Sequence, residues 1–342
     1  MNLKRAIGLT VVGLLFGGSV GCSDADSGQA AENGELENVQ LILPGPLDIY
    51  FPSILVAQKM FWPDFGLEVE DIGTDGSSGV MQQLAAGNGD FGIAGASAVY
   101  ATEVEGTDVT GLAALSHDDI ADLVVLESSD IKSAADLQGA PIGITSSGDG
   151  ARPIVGSALH SAGVTDFNEL IVGTGGPQVA AALNSGDITA YAAAPADVVG
   201  VEMNADLPMR SIMPESYKGL TGNVFAVPKS VQEDPAKLDQ AIRLLAGYLA
   251  AQEWAIDNPE ETIKIACEAM PQSCTDQAVA DATVEVAISF LSPLKGKPGS
   301  FDEERTMATV KAVSGETPLP FSDVFTNEYI DQINEKMGSP AP

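Results

Sequence analysis

Basic residues are scarce in this chain, and so are histidine and cysteine. Its 342 residues hold 16 Lys and Arg against 48 Asp and Glu, with two His and three Cys. A formal net charge of -32 repels a phosphate backbone, so nucleic acid is excluded as a partner. The acidic excess is spread along the chain; it reads as a solvated surface and carries no message about a ligand. Hydrolase chemistry lacks its parts, because only His117 and His160 are on offer and no Gly-x-Ser-x-Gly elbow occurs. A Walker loop is missing too, since no Lys-Ser or Lys-Thr follows the glycines around Gly79. Cys267 and Cys274 have no His or further Cys beside them to build a metal site, and six residues between them are too many for a redox pair. No metal and no cofactor is expected.

The N-terminus suggests a compartment. Lys4 and Arg5 precede an apolar run from Ala6 to Phe16, too short to span a bilayer, and small residues then lead to Cys22. "SVGC" resembles the lipobox of bacterial lipoproteins, with Val20 and Gly21 in place and Ser19 where leucine is usual. The expectation is a signal peptide over 1–21, lipidation of Cys22, and a polar, acidic tether over 22–38. Removing the signal and lipidating Cys22 leaves two close cysteines in an oxidising compartment, which reads as one short-loop disulfide between Cys267 and Cys274. The remainder, roughly 320 residues, is long enough for two lobes with separate cores.

Short apolar strands alternate with amphipathic helices, the signature of an α/β fold. The stretch "GTDGSSGVMQQLAAGNGDFGIAG" (73–95) puts glycines and serines at the mouth of a helix. Such a mouth leaves backbone N–H groups free for a polar ligand atom, or Ser77 and Ser78 simply cap the helix. A similar stretch, "GTGGPQVAAALNSGDITAYAA" (173–193), follows later. Gly73, Thr74, Gly76, Leu84, Gly87 and Asp90 correspond to Gly173, Thr174, Gly176, Leu183, Gly186 and Asp187, a weak repeat that suggests two similarly built halves. Strands at 109–115 and 121–127 read as one crossing between lobes, and the chain crosses back around 209–227. The expected division is 39–117 with 220–337 in the first lobe, 118–219 in the second, and a disordered tail over 338–342.

Several segments carry a family likeness. "FGLEVE", "LAAGNGDFGIA", "ADLQGAPIGI" and "NVFAVPKS...DPAKLDQAIRLLAGYLAAQEWAIDNPEET" resemble the solute-binding proteins of bacterial ABC importers, in the group covering nitrate, sulfonates, taurine and thiamine-precursor pyrimidines. The likeness runs from about Leu41 to about Ala269. It implies a two-lobe periplasmic-binding-protein fold of type II, with two hinge-crossing strands and a ligand cleft between lobes. It implies a monomer, tied to the membrane only by its lipid, that passes a small polar molecule to an ABC permease.

In such a binder the helix mouths of both lobes face one cleft. Ser77 and Ser78 from one lobe, Ser146 and Ser147 from the other, and Gly175 with Gly176 at a third mouth are then ligand candidates. The loop after the first strand offers Tyr50 and Phe51, either as a stacking face or as packing. Arg152, the only base in these turns, either meets an anion or pairs with Asp149. Ser97, Asp197 and Asn223 sit at other element ends, His117 at the crossing either lines the cleft or is a solvated hinge residue, and His160 packs within its helix. Two other classes share the architecture. A thiamine pyrimidine synthase-like enzyme would carry a cysteine-rich run absent here, and a ligand-sensing lipoprotein would report to a membrane receptor without feeding a transporter.

Overall fold

The structure is a computed structural model that describes residues 36–116, 121–174, 176–291, 296–315 and 317–339. The signal segment, Cys22 and most of the tether lie outside the described residues, as do His117, Gly175 and residues 340–342 of the tail.

Two five-stranded sheets carry the fold. The first is built from β1 (Glu37–Leu43), β2 (Leu67–Gly73), β3 (Phe91–Gly95), β4 (Val109–Ala114) and β10 (Asn223–Pro228), in the order β2-β1-β3-β10-β4. The second holds β5 (Asp122–Leu126), β6 (Pro141–Ile144), β7 (Asn168–Ile171), β8 (Ala190–Ala193) and β9 (Met209–Ser211), in the order β7-β6-β8-β5-β9. Each sheet has three parallel strands, and in each the fourth strand runs antiparallel to the third. Strands buried on both faces, as β3, β4 and β8 are, need continuous apolar and small residues, which "FGIAG", "VTGLAA" and "AYAA" supply.

Helices fill the connections. They are α1 (Pro52–Val56), α2 (Gly76–Ala85) and α3 (Ala96–Val104) in the first half, then α4 (Ala151–Ser161), α5 (Gly176–Ser185) and α6 (Pro195–Ala205). The weak repeat is real in space. Strand β2, helix α2 and strand β3 occupy the same sheet positions as β7, α5 and β8, and Gly76 and Gly176 open their helices at φ 81° and 78°, a region glycine enters without strain.

After β10 the chain is helical: α7 (Ser230–Glu233), α8 (Pro235–Asp257), α9 (Pro259–Ala269), α10 (Gln277–Ser289), α11 (Glu303–Ser314), α12 (Phe321–Val324) and α13 (Ile330–Met337). Asp234 starts the long α8 by accepting from the Ala236 and Lys237 amides, ahead of Pro235, where a missing N–H costs nothing. Its apolar face, with Leu244, Leu245 and Leu249, closes the first core over Trp62 and Phe65. The Trp62 indole N–H donates to the Leu244 carbonyl at 2.9 Å, so this large ring is buried without an orphan donor.

These helices also bridge the halves: α10 packs on α6, and α11 packs on α4. The Cys267 and Cys274 sulfurs are joined, closing the end of α9 onto the turn before α10.

The two crossings lie side by side. The Asn223 amide donates to Ser116 Oγ at 2.8 Å, and the Leu115 amide donates to the Asn223 carbonyl at 2.8 Å. The first core gathers around β1 and α8, and a separate one gathers around β6 and α4. Two cores joined by paired crossings make a two-lobe periplasmic-binding-protein fold.

Candidate functional site

A cavity of about 390 Å³ lies where the two sheets face each other. The first sheet contributes the loop after β1, which carries Asp48, Tyr50 and Phe51, and the start of α2 at Gly76 and Ser77. The second contributes the loop after β6, with Thr145, Ser146, Asp149 and Gly150, and the start of α6 at Pro195 and Asp197. The crossings supply Ser116 and Asn223, and the C-terminal helices close the wall with Tyr248, Phe290 and Leu291.

Local hydrogen bonds hold these loops. Thr74 Oγ1 donates to the Leu43 carbonyl at 2.8 Å and the Gly76 amide donates to the Pro44 carbonyl at 3.0 Å, which ties the loop after β2 to the loop after β1. Ser77 is 2% exposed, and its Oγ accepts from the Gly95 amide at 3.0 Å. It is therefore a strut between α2 and the end of β3 and not the cap of its helix, a position held by Asp75. Across the cavity the Asp149 carboxylate accepts from the Thr145 hydroxyl and, at 2.9 Å, from the Ala151 amide at the start of α4.

The lobes meet at the rim. The Ser78 amide donates to the Gly148 carbonyl at 3.4 Å, and Ser147 Oγ donates to Asp75 Oδ2 at 3.3 Å. A β-carbon on Gly148 would fall 1.8 Å from the Asp75 carbonyl oxygen, so only glycine permits this approach.

The lining is acidic. Asp197 is 8% exposed; burial, and next to it the charge of Asp149, push its carboxyl up to about 7, against a hydrogen bond from the Ala194 backbone. Burial likewise raises Asp149 above the usual carboxylate range, with the Thr145 and Ala151 hydrogen bonds opposing and Asp75 adding to the rise. The Tyr50 phenol is raised by burial and by the charges of Asp197 and Asp48. Burial pushes Tyr248 up to about 12, against a smaller opposing effect of the Ser53 hydroxyl. Ser53 Oγ and Asn223 Oδ1 are buried atoms of cavity residues with no hydrogen-bond partner. No described residue satisfies them, so they are open to a ligand or to water.

Tyr50, Phe51, Ser77, Ser146, Asp197 and Asn223 all line this cavity. Phe51 also packs on the first core, so its two readings are both true. The other expected residues lie elsewhere. Ser78 and Ser147 are exposed at the rim, where they bridge the lobes and do not face the interior. Ser97 is buried at the start of α3 and is not in the lining. Gly176, at the start of α5, is not in the lining, which among the described residues of that turn takes in Thr174.

The Arg152 side chain does not pair with Asp149. Its guanidinium pairs with Glu169 of β7, with Nε and Nη2 each 2.7 Å from Oε2, and its Nη1 donates to the carbonyl of the rim residue Ser147 at 3.3 Å. Asp149 lines the cavity, and Arg152 is not in the lining. His160 is exposed on α4 and meets Phe167 edge-on, ring centres 5.9 Å apart.

Sequence reasoning missed Asp48, Ser53, Thr145, Tyr248 and Phe290. Asp48 and Thr145 sit in the same loops as named candidates and were within reach of the loop argument. Tyr248 and Phe290 belong to helices far along the chain, where their apolar spacing matches core packing and gives no separate signal.

Comparison with known proteins agrees with this geometry. A structure from Bordetella bronchiseptica RB50 superimposes with a TM-score of 0.72 at 23% identity, over 89% of this chain and 99% of that one. The alkanesulfonate-binding protein SsuA from Xanthomonas axonopodis pv. citri, bound to MOPS, gives 0.63 at 17% identity, over 87% and 100%. The periplasmic nitrate-binding protein NrtA from Synechocystis PCC 6803 gives 0.61 at 14% identity, over 90% of both chains. At these identities the likeness establishes the fold. No curated protein matches the sequence. The NMT1/THI5-like family matches residues 49–262, more than half of the chain, and the protein is a member of that family.

Proposed function

We propose that this protein is an exported, lipid-anchored solute-binding protein that captures a small polar molecule between its lobes and delivers it to an ABC importer. One observation carries the reading: a cavity of about 390 Å³ walled by both lobes and by the paired crossings, holding two buried polar atoms that no described residue satisfies. A ligand gripped from both lobes bridges them, so binding favours closure. The alkanesulfonate- and nitrate-binding proteins of the same fold support the transport role. Lipidation at Cys22 and a monomeric state belong to the same proposal, motivated by the signal-like segment and by a cleft walled within one chain.

A thermal-shift screen tests it, with taurine, an alkanesulfonate, nitrate and an aminopyrimidine as the panel. A true ligand raises the melting point with the logarithm of its concentration above Kd, and saturation shrinks the radius seen by small-angle scattering. Stabilisation without any change in radius would place binding outside the cleft. Cys22→Ser should move the protein from the membrane to the soluble export fraction, and a variant that stays membrane-bound would end the lipoprotein reading.

A further inference from the structure

The sign of the cleft's charge is a separate matter from its presence. Asp48, Asp75, Asp149 and Asp197 line the cavity, and no Lys, Arg or His is among its described lining residues. Arg152 reaches only the rim and is not in the lining, its guanidinium held by Glu169 and by the Ser147 carbonyl. The helix starts of α2, α4 and α6 reach the cavity at Gly76, Gly150 and Pro195. Each contributes about half a positive charge, roughly 1.5 in all, which does not balance the aspartates even when Asp149 and Asp197 share one proton.

The unsatisfied atoms point the same way. Asn223 Oδ1 accepts only, as do ionised carboxylates, so the cavity asks for N–H donors. Ser53, 2% exposed and in the lining, carries a hydroxyl that can accept an N–H as well as donate, and no described residue is its acceptor or donor. A sulfonate or nitrate would bring a further negative charge into a cavity lined by four aspartates. Tyr50, Phe51, Tyr248 and Phe290 add flat apolar walls and aromatic faces that attract a cation.

We propose that the cleft selects an organic monocation, a flat ring bearing N–H donors, over neutral and anionic molecules of the same shape. The proposal rests on the solute-binding reading and specifies the class of solute.

Three isosteres that differ mainly in charge make the test: benzamidinium, benzamide and benzoate, titrated calorimetrically into the mature protein at pH 8. Benzamidinium is expected to bind at least tenfold more tightly than benzamide, with benzoate showing no binding. Asp197→Asn and Asp149→Asn should each weaken benzamidinium by tenfold or more while leaving benzamide within about threefold, a pattern that general damage to the site would not give. Benzamide or benzoate binding as well as benzamidinium overturns the charge selection and leaves the solute-binding reading standing. The same holds if all three fail while taurine or an alkanesulfonate stabilises and closes the protein. Failure of all three together with the whole solute panel overturns both.

Discussion

The carbonyl oxygen of Gly148 in the second lobe approaches Gly76 of the first so closely that a β-carbon on Gly76 would lie 2.0 Å from it. Gly76 also sits at φ 81°, so it is constrained twice, by the close approach and by its own backbone. Gly148 faces only the first constraint, which makes it the cleaner probe of closure.

Gly148→Ala is expected to hold the lobes apart, because the added carbon meets the Asp75 carbonyl at 1.8 Å and backbone cannot yield as a side chain can. Affinity for the cleft ligand should fall at least tenfold. The scattering radius of the variant should stay at its ligand-free value at any ligand concentration. A variant that still contracts on saturation would mean that the rim contact is incidental to closure.

Ser77 and Ser78 are neighbours with opposite expectations. Ser77→Ala strands the buried Gly95 amide, which loses its acceptor at 3.0 Å, and should cost about 1–3 kcal/mol of stability. Ser78 is exposed, and its contribution at the rim comes from its backbone amide, which alanine retains. Ser78→Ala should therefore leave both stability and affinity within experimental error. Urea unfolding of the two variants separates these outcomes, and equal losses would return both residues to a shared capping role.

Much of the fold was legible because its signals are local. The alternation of strands and helices, the two crossings and the repeated Gly-Thr-x-Gly turn each occupy a short window of sequence. The cavity was legible only in part, for a geometric reason. A loop known to face the cleft does not disclose which of its side chains turns inward: Asp149 and Arg152 are three residues apart, yet one lines the cavity and the other pairs with Glu169 and the Ser147 carbonyl. Ser146 and Ser147 divide in the same way between interior and rim. Tyr248, on a helix whose own pattern speaks only of a core, and Phe290, just past the end of α10, reach the site through tertiary packing.

Cys267 and Cys274 enclose a short loop at the end of α9, remote from the cavity lining. In the chain-entropy picture, replacing both with serine should cost about 2–3 kcal/mol by freeing the unfolded chain. The fold should survive, because α9 and α10 still pack through Ile263, Ala266, Ala280 and Val284. The melting point should drop while ligand affinity stays unchanged. Titration of two free thiols in the oxidised, unfolded wild-type protein would show that the bond does not form in the cell.

Asp197 makes the ligand-free protein respond to pH in an unusual direction. Burial, followed by the charge of Asp149, lifts its carboxyl from the ordinary 3.8 to about 7, while Tyr50, Asp48 and Tyr248 share its cavity and bring no cation. Between these values the folded protein holds a proton that the unfolded chain releases, so this group's contribution to stability is complete below about pH 4 and disappears as pH rises through 7. Asp149, also raised, acts in the same sense. Asp197→Asn keeps the shape and removes the charge. It should flatten the decline between pH 4 and 8 and leave the variant more stable than wild type at pH 8, by a few kcal/mol at about 1.4 kcal/mol per tenfold change in proton affinity. The gain would come with a loss of ligand affinity, since a carboxylate kept in an unfavourable place is one that a bound cation relieves. Urea midpoints of both proteins across that range decide the matter. Parallel curves would mean that Asp197 is ionised at neutral pH without penalty, and that water or a counter-ion already compensates it.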